Sequence, residues 1–142
     1  MPNSKPARKT SSASKMSARG HAADAKGLRF ELEVSNYYAK QGWELEGRHK
    51  FEGFEIDLLG KKEVVGGKDC LIVECKDKAN VTAAEVLRFM RKASAYRQSM
   101  PALFGLRDQL DAIIAHTGTV SKDAVEAAKT HDPPIVFRHF SR

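Results

Sequence analysis

Glu74 and Lys76 are the residues of this 142-residue chain whose types and spacing first suggest chemistry. They follow the apolar run Leu71-Ile72-Val73, which predicts a buried strand. Side chains of a strand alternate between its two faces, so Glu74 and Lys76 project to the same side. Because an unpaired charge is costly at the end of a buried strand, the pattern predicts that other charged groups meet them there.

Asp57, on the preceding predicted strand, is the first such group. Gly66-Gly67 is a hairpin signal, and a two-residue turn there places Asp57 directly opposite Lys76, with Glu74 on the diagonal. Opposed residues share a face, with Cβ atoms about 4.5–5.5 Å apart. A one-residue change in the loop would reverse the faces. The alternative is a simple cross-strand ion pair between Asp57 and Lys76, with Glu74 at a solvated strand end.

Glu31 is a third acidic candidate, on a helix predicted over residues 27–41. It falls between two apolar sectors of that helix, whereas Glu33 falls on the polar side, so we expect Glu31 to point inward. Three carboxylates around one point repel each other unless a cation holds them, and oxygen ligands favour Mg²⁺ or Mn²⁺. Such an ion polarises a phosphoryl oxygen and acidifies a bound water, while a lysine offsets developing charge. The four residues therefore predict phosphodiester hydrolysis.

Eight elements are predicted to position these groups, in the order αβββαβαβ. This order predicts an α/β fold with a mixed β-sheet that helices cover on both faces. Thr82 and Glu85 form a capping box that opens the second helix, and residues 100–111 receive no assignment. The predicted elements are a helix over 27–41, strands over 43–48, 54–59 and 70–75, a helix over 82–99, a strand over 112–116, a helix over 121–130 and a strand over 135–140.

Length and charge indicate one domain with a basic tail. Residues 1–26 hold six Lys/Arg and one acid, a net of +5 out of +6 for the whole chain. With few apolar residues, this segment is expected to be disordered and to add sequence-independent attraction to phosphates; the alternative is a solvated leader without a role. No apolar run approaches the length of a membrane span. Cys70 and Cys75 suit neither a disulfide framework nor a zinc site, which favours a reducing, cytoplasmic setting.

Three segments of the chain resemble the PD-(D/E)xK nuclease superfamily, the restriction-endonuclease-like fold. They are GLRFE (27–31), GFEIDLLG (53–60) and LIVECKD (71–77), in the order of that superfamily and roughly at its spacing. The stretch AIIAHTGTVSKDAVEAAKTH (112–131) is similar to the strand, turn and capped helix that follow the core in Mrr-type restriction endonucleases. Archaeal Holliday-junction resolvases are the other close match. The resemblance covers about residues 27–140 and implies a nuclease domain over 27–142.

The resemblance implies a role for each matched residue. Asp57 and Glu74 would be metal ligands, with the backbone carbonyl of Cys75 as a third. Lys76 would be the catalytic lysine, and Glu31 the helix carboxylate that assists the metal or the water. Ile56 stands where the superfamily motif has proline, a position that varies widely among such families.

Basic residues around this site are candidate DNA contacts. Arg88, Arg91 and Lys92 are predicted on one face of the second helix, either as a phosphate-contacting stripe or as an ordinary solvated face. Arg48 and Lys50 precede the strand of Asp57 and would line the same groove, and Lys78 is close enough to touch a phosphate.

These patterns together predict a Mg²⁺- or Mn²⁺-dependent DNA endonuclease that acts by water attack on the phosphodiester. Selectivity for branched DNA fits a small domain whose tail adds only non-specific affinity for DNA. Because paired cuts need two active sites, a homodimer is expected. An enzyme that acts on DNA is expected to associate with the nucleoid in the cytoplasm. One alternative is a restriction-type endonuclease that works with a separate specificity partner. Another is a nucleic-acid-binding protein that keeps the fold without cutting.

Overall fold

The fold is known from a computed structural model that describes residues 22–100 and 109–141. Ten elements follow one another in these two ranges. They are α1 (Ala22–Ala39), β1 (Glu44–Phe51), β2 (Phe54–Val64), β3 (Gly67–Lys76), β4 (Asn80–Val81), α2 (Ala83–Ser99), β5 (Gln109–His116), β6 (Thr119–Val120), α3 (Lys122–Lys129) and β7 (Ile135–His139).

Five strands form a mixed sheet in the order β1-β2-β3-β5-β7. The pairs β1/β2 and β2/β3 are antiparallel, whereas β3/β5 and β5/β7 are parallel. A three-strand meander therefore leads into two strands that are each preceded by a helix. The predicted α/β class and the mixed, helix-flanked sheet are confirmed.

Several predicted boundaries differ from the structure, and two of them concern the tail and the unassigned stretch. Helix α1 begins at Ala22, so it includes residues 22–26, which the sequence assigned to the tail. The rest of that tail, residues 1–21, lies outside the described residues. Strand β5 begins at Gln109 and so takes up the end of the unassigned stretch 100–111, while residues 101–108 lie outside the described ranges.

The β2–β3 hairpin turns one residue earlier than predicted. Val64 pairs with Gly67, so Val65 and Gly66 form the turn, and Gly66 takes a φ of +82° that favours glycine. This shifts the pairing by two residues and places Asp57 opposite Glu74, with Lys76 on the diagonal. The predicted Asp57–Lys76 opposition is wrong. A shift of two residues preserves the parity of the pairing, although β2 does not alternate regularly here, since Ile56 and Leu58 lie in opposite cores.

The sheet has an apolar core on each face. One core packs α1 residues against alternate sheet positions, among them Phe30, Val34, Leu71, Val73 and Ile113. The other packs α2 and α3 against the intervening positions, among them Val86, Phe89, Cys70, Ile72 and Ile114. Because β3 and β5 are buried on both faces, they read in the sequence as continuous apolar runs.

Both helices on the second face begin with the predicted caps. The Thr82 hydroxyl accepts from the Glu85 backbone N–H, and the Glu85 carboxylate accepts from the Thr82 N–H, which completes the capping box. Ser121 caps α3 by accepting from the Ala124 N–H. These caps satisfy backbone donors that a helix start would otherwise leave unpaired.

A small parallel sheet of β4 and β6 joins the ends of β3 and β5 and was not predicted. The Thr117 hydroxyl donates to the Asp77 carboxylate at 2.8 Å, and the Thr119 N–H donates to the Ala79 carbonyl at 2.9 Å. Gly118 lies against the chain between β3 and β4. A Cβ atom at Gly118 would stand 2.3 Å from the carbonyl oxygens of both Lys78 and Ala79.

The substitution Gly118→Ala is expected to destabilise the fold by about 2–3 kcal/mol, because the added methyl meets backbone atoms that cannot swing aside. Urea unfolding measures the change. Gly27→Ala is the matched control: Gly27 lies inside α1 with nothing within 4 Å of an added Cβ. It should raise stability by about 0.5–1 kcal/mol through helix propensity. Equal effects of the two substitutions would contradict the close approach at Gly118.

Candidate active site

Glu74 and Lys76 lie together where β3 leaves the sheet core. The Lys76 Nζ stands 3.5 Å from Glu74 Oε2, and only 11% of the Glu74 side chain is exposed. Alternation along β3 puts both on the α2 side, as the sequence predicts. The structure therefore brings these two residues together, and Asp57 joins them from the opposed position of β2.

Lys92, on α2, forms a second ion pair with Glu74. Its Nζ lies 3.1 Å from Glu74 Oε1 and donates to the Glu55 carbonyl oxygen at 2.7 Å. The prediction that Lys92 shares a solvated face with Arg88 and Arg91 is wrong: only 12% of the Lys92 side chain is exposed, whereas Arg88 and Arg91 are exposed. Lys92 is two turns from Glu85, so it lies on the side of α2 that faces β3.

Glu85 is an acidic neighbour that sequence reasoning assigned only to the helix cap. Its Oε2 lies 2.6 Å from Lys78 Nζ and 3.7 Å from Lys76 Nζ. Burial raises the pKa of the Glu85 carboxyl, but the hydrogen bonds from Lys78 and the Thr82 backbone outweigh it and lower that pKa to about 2. Glu85 thus remains ionised and holds Lys76 from the side opposite Glu74. The position of Glu85 in the first turn of α2, which the capping box predicts, was the sequence signal that could have placed its carboxylate near Lys76.

Asp57 accepts a hydrogen bond from the backbone N–H of Cys75 at 2.9 Å. Burial and the negative charge of Glu74 raise the pKa of Asp57 to about 6, although the Cys75 N–H, Lys92 and Arg48 act in the opposite direction. The hydrogen bond fixes the carboxylate near the start of β2, beside the strand that carries Glu74. Holding both acids ionised is therefore unfavourable without further positive charge.

Glu31 points inward from α1, as predicted, with 12% of its side chain exposed. Burial and the charge of Asp57 raise the pKa of Glu31 to about 7, and Arg48 moderates this increase. The Arg48 Nε donates to Glu31 Oε1 at 3.1 Å and its Nη1 lies 3.5 Å from Glu55 Oε2. Arg48 takes a φ of +54° within β1, a conformation that side chains other than glycine seldom adopt.

The predicted meeting of Glu31, Asp57 and Glu74 at one point is not seen. Within residues 22–100 and 109–141, no three His, Cys, Asp or Glu side chains form a group that could hold a metal ion. Asp57 and Glu74 nevertheless present hard oxygen donors side by side, and a bound cation would relieve the Glu74 repulsion that, after burial, raises the pKa of Asp57. This pair fits a hard divalent ion, with Glu31 held apart by Arg48.

Cys75 contributes its backbone and not its thiol. Burial, followed by the charges of Asp57, Glu31 and Glu74, raises the pKa of the Cys75 thiol well above its ordinary value. The thiol therefore stays protonated and is a poor nucleophile. The sequence reading of both cysteines as packing residues agrees with this environment: Cys70 is buried in the α2/α3 core, and Cys75 packs against the α1 core.

The remaining predicted DNA contacts fall into two groups. Lys50, Arg88 and Arg91 are exposed. Arg48 and Lys78 are engaged in ion pairs with Glu31 and Glu85. No helix of the described ranges is long and apolar enough to cross a membrane.

Comparison with known proteins gives one family and two similar folds. Residues 22–139 match the family model Mrr_cat, described as restriction endonuclease. A crystal structure of a repair endonuclease from Pyrococcus abyssi superposes with a TM-score of 0.56 at 12% identity, over 82% of this chain and 46% of that one. EndoMS in apo form gives a TM-score of 0.49 at 14% identity, over 79% and 46%. The chain thus spans less than half of either. No curated protein matches it.

The substitution Asp57→Asn is expected to stabilise the metal-free protein by about 1–2 kcal/mol at pH 8, because it removes charge repulsion while an amide oxygen can still accept from Cys75. The folded-state pKa of Asp57 is about 6 against an ordinary 3.8. The Asp57 carboxyl therefore makes the wild type lose stability as pH rises between these values, and the variant lacks this contribution.

Urea unfolding in EDTA at pH 8 and at pH 4 measures this difference. The advantage of Asp57→Asn should be present at pH 8 and small at pH 4, where Asp57 is protonated in the folded protein and partly protonated in the unfolded chain. Asp69→Asn, in the same hairpin on β3, is the control for loss of one negative charge. A destabilised Asp57→Asn at pH 8 would contradict the repulsion.

Proposed function

The chain belongs to the Mrr_cat family of restriction endonucleases, and on this premise we propose that it is a divalent-metal-dependent endonuclease that hydrolyses phosphodiester bonds of DNA. The observation that carries the proposal is the arrangement at the end of β3: Asp57 and Glu74 side by side, with the Lys76 ammonium 3.5 Å from Glu74. Membership of the family supports the proposed nuclease activity, and this arrangement of side chains supports the proposed location of the active site.

Asp57 and Glu74 are the proposed ligands of Mg²⁺ or Mn²⁺, with the Cys75 backbone carbonyl as a third. Their oxygens are the donors that hard divalent ions prefer, and two adjacent buried carboxylates gain most from such a charge. A bound ion would supply Lewis acidity toward the phosphoryl oxygen and lower the pKa of a bound water.

Lys76 is the residue proposed to orient the attacking water and to stabilise negative charge in the transition state. Glu31 is the residue proposed to assist that water. Glu85 and Glu74 hold the Lys76 ammonium between them, so it is fixed where it can orient water and offset charge on the phosphate. Glu31, with a pKa of about 7, can accept a proton near neutral pH. Its role is to assist the water from the α1 side, with Arg48 keeping it in place.

Replacement of Lys76 by Ala is expected to reduce DNA cleavage by about 10²–10³-fold, the usual loss when a group that stabilises transition-state charge is removed. Gel-based cleavage of supercoiled DNA with Mg²⁺ measures the rate, with EDTA as the metal-free reference. Lys129→Ala is the control, because Lys129 lies on α3 in an exposed pair with Glu126. Unchanged cleavage by Lys76→Ala would contradict the role proposed for Lys76, whereas no cleavage by the wild type on any DNA tested would favour the binding-protein alternative.

We propose further that the enzyme prefers branched DNA and acts as a homodimer. The basic segment over residues 1–26 favours contacts with the DNA backbone over readout of sequence, and two symmetric cuts require two sites. The similar fold from Pyrococcus abyssi is described as a repair endonuclease, a role that such selectivity would serve. The rival, a restriction-type enzyme that depends on a specificity partner, is favoured by the description of the family model.

Cleavage of a four-way junction and of a linear duplex of the same sequence separates these two alternatives. We expect the junction to be cut at least about tenfold faster at equal DNA concentration, a difference that corresponds to about 1.4 kcal/mol. Lys76→Ala serves as the catalytically impaired control on both substrates. Equal rates, or faster cutting of the duplex, would contradict selectivity for branched DNA and support the restriction-type reading.

A further inference from the structure

Lys92 makes a contact that the proposed reaction does not use. Its Nζ lies 3.1 Å from Glu74 Oε1 and 2.7 Å from the Glu55 carbonyl oxygen. A carboxylate oxygen and a backbone carbonyl oxygen are the donors that hard divalent cations take. The ammonium therefore occupies, on Glu74, a position suited to a cation.

We propose that Lys92 is a tethered counter-ion of Glu74, which neutralises the carboxylate in the metal-free protein and gives way when the divalent ion binds. This inference rests on the proposed function, since it assumes that Glu74 is a metal ligand. Lys92 would act on metal affinity, not on the reacting phosphate. It is a positioning residue for Glu74 and a competitor of the ion.

Burial explains why such a counter-ion is needed. The Glu74 side chain is 11% exposed and that of Lys92 is 12% exposed, so both charges are largely withdrawn from water. Asp57 opposes Glu74 in the hairpin register and adds a second negative charge. An unpaired buried charge is strongly destabilising, so the metal-free fold needs a cation from its own chain.

The second lysine at Glu74 is not equivalent to Lys92. Lys76 Nζ lies 3.5 Å from Glu74 Oε2 and also 3.7 Å from Glu85, so it keeps a carboxylate partner if Glu74 turns to a metal ion. Among the ion pairs of the described ranges, Lys92 has Glu74 as its carboxylate partner, and its other contact is a neutral carbonyl. Lys92 is therefore the lysine that a bound ion would displace.

Removal of the ammonium should have two opposite effects. In Lys92→Met the aliphatic stem stays, but Glu74 loses its counter-ion, so the metal-free melting temperature falls. The same loss removes the competitor of the ion, so Mg²⁺ should bind about tenfold more tightly, which corresponds to about 1.4 kcal/mol. A purely structural role for Lys92 would lower the melting temperature without tightening Mg²⁺ binding.

The test is a Mg²⁺ titration of the DNA-free protein, followed by calorimetry and by the melting temperature. Lys92→Gln is a second variant that keeps hydrogen-bond donors without the charge, and it should also tighten binding if Lys92→Met folds poorly. Lys92→Arg retains a cation and should bind Mg²⁺ nearly as the wild type does. Lys129→Met, which removes one positive charge on α3, should leave Mg²⁺ affinity unchanged.

The two proposals fail in distinguishable ways. If the wild type binds Mg²⁺ and Asp57→Asn does not, but Lys92→Met and Lys92→Gln bind no more tightly than the wild type, the counter-ion role is overturned and the metal site stands. If Mg²⁺ binds with unchanged affinity to Asp57→Asn, or does not bind the wild type, the metal site itself fails and the role of Lys92 fails with it.

Discussion

Two acidic residues held opposite each other in a partly buried hairpin are the constraint on which the site depends. Burial and the neighbouring charge of Glu74 raise the pKa of Asp57 and so make its charged form costly. Three local features offset that cost: the Cys75 N–H on Asp57, and the ammonium groups of Lys76 and Lys92 on Glu74. Much of the charge at this end of the sheet can be understood as compensation for one unfavourable pair. Such pairs persist in folds where they serve function.

Much of the fold follows from local patterns in the sequence. Apolar alternation and continuous apolar runs locate the strands, and Thr82 and Ser121 mark the starts of two helices where the structure has them. The β2–β3 turn was misplaced by one residue, yet Glu74 and Lys76 project to the same side of β3, as predicted. Moving a two-residue turn by one position changes the pairing by two, and strand side chains repeat with that period.

Contacts between residues far apart in the sequence could not be predicted from local sequence patterns. Lys92 follows Arg91 and lies one turn after Arg88, so the sequence alone predicts that it belongs to a basic stripe on the helix. Its partners, Glu74 and the Glu55 carbonyl, are 18 and 37 residues away. The small β4/β6 sheet was not predicted because strands of two residues are too short to show a periodic apolar pattern.

The left-handed backbone conformation of Arg48 also affects the exposed edge of the sheet. Strand β1 is at the edge of the sheet, and an edge strand with a regular backbone can recruit a strand from another molecule. A left-handed residue at Arg48 breaks that regular backbone midway along β1. The ion pairs with Glu31 and Glu55 secure the irregular conformation. The kink that anchors a candidate catalytic carboxylate also protects this border of the sheet against edge-to-edge aggregation.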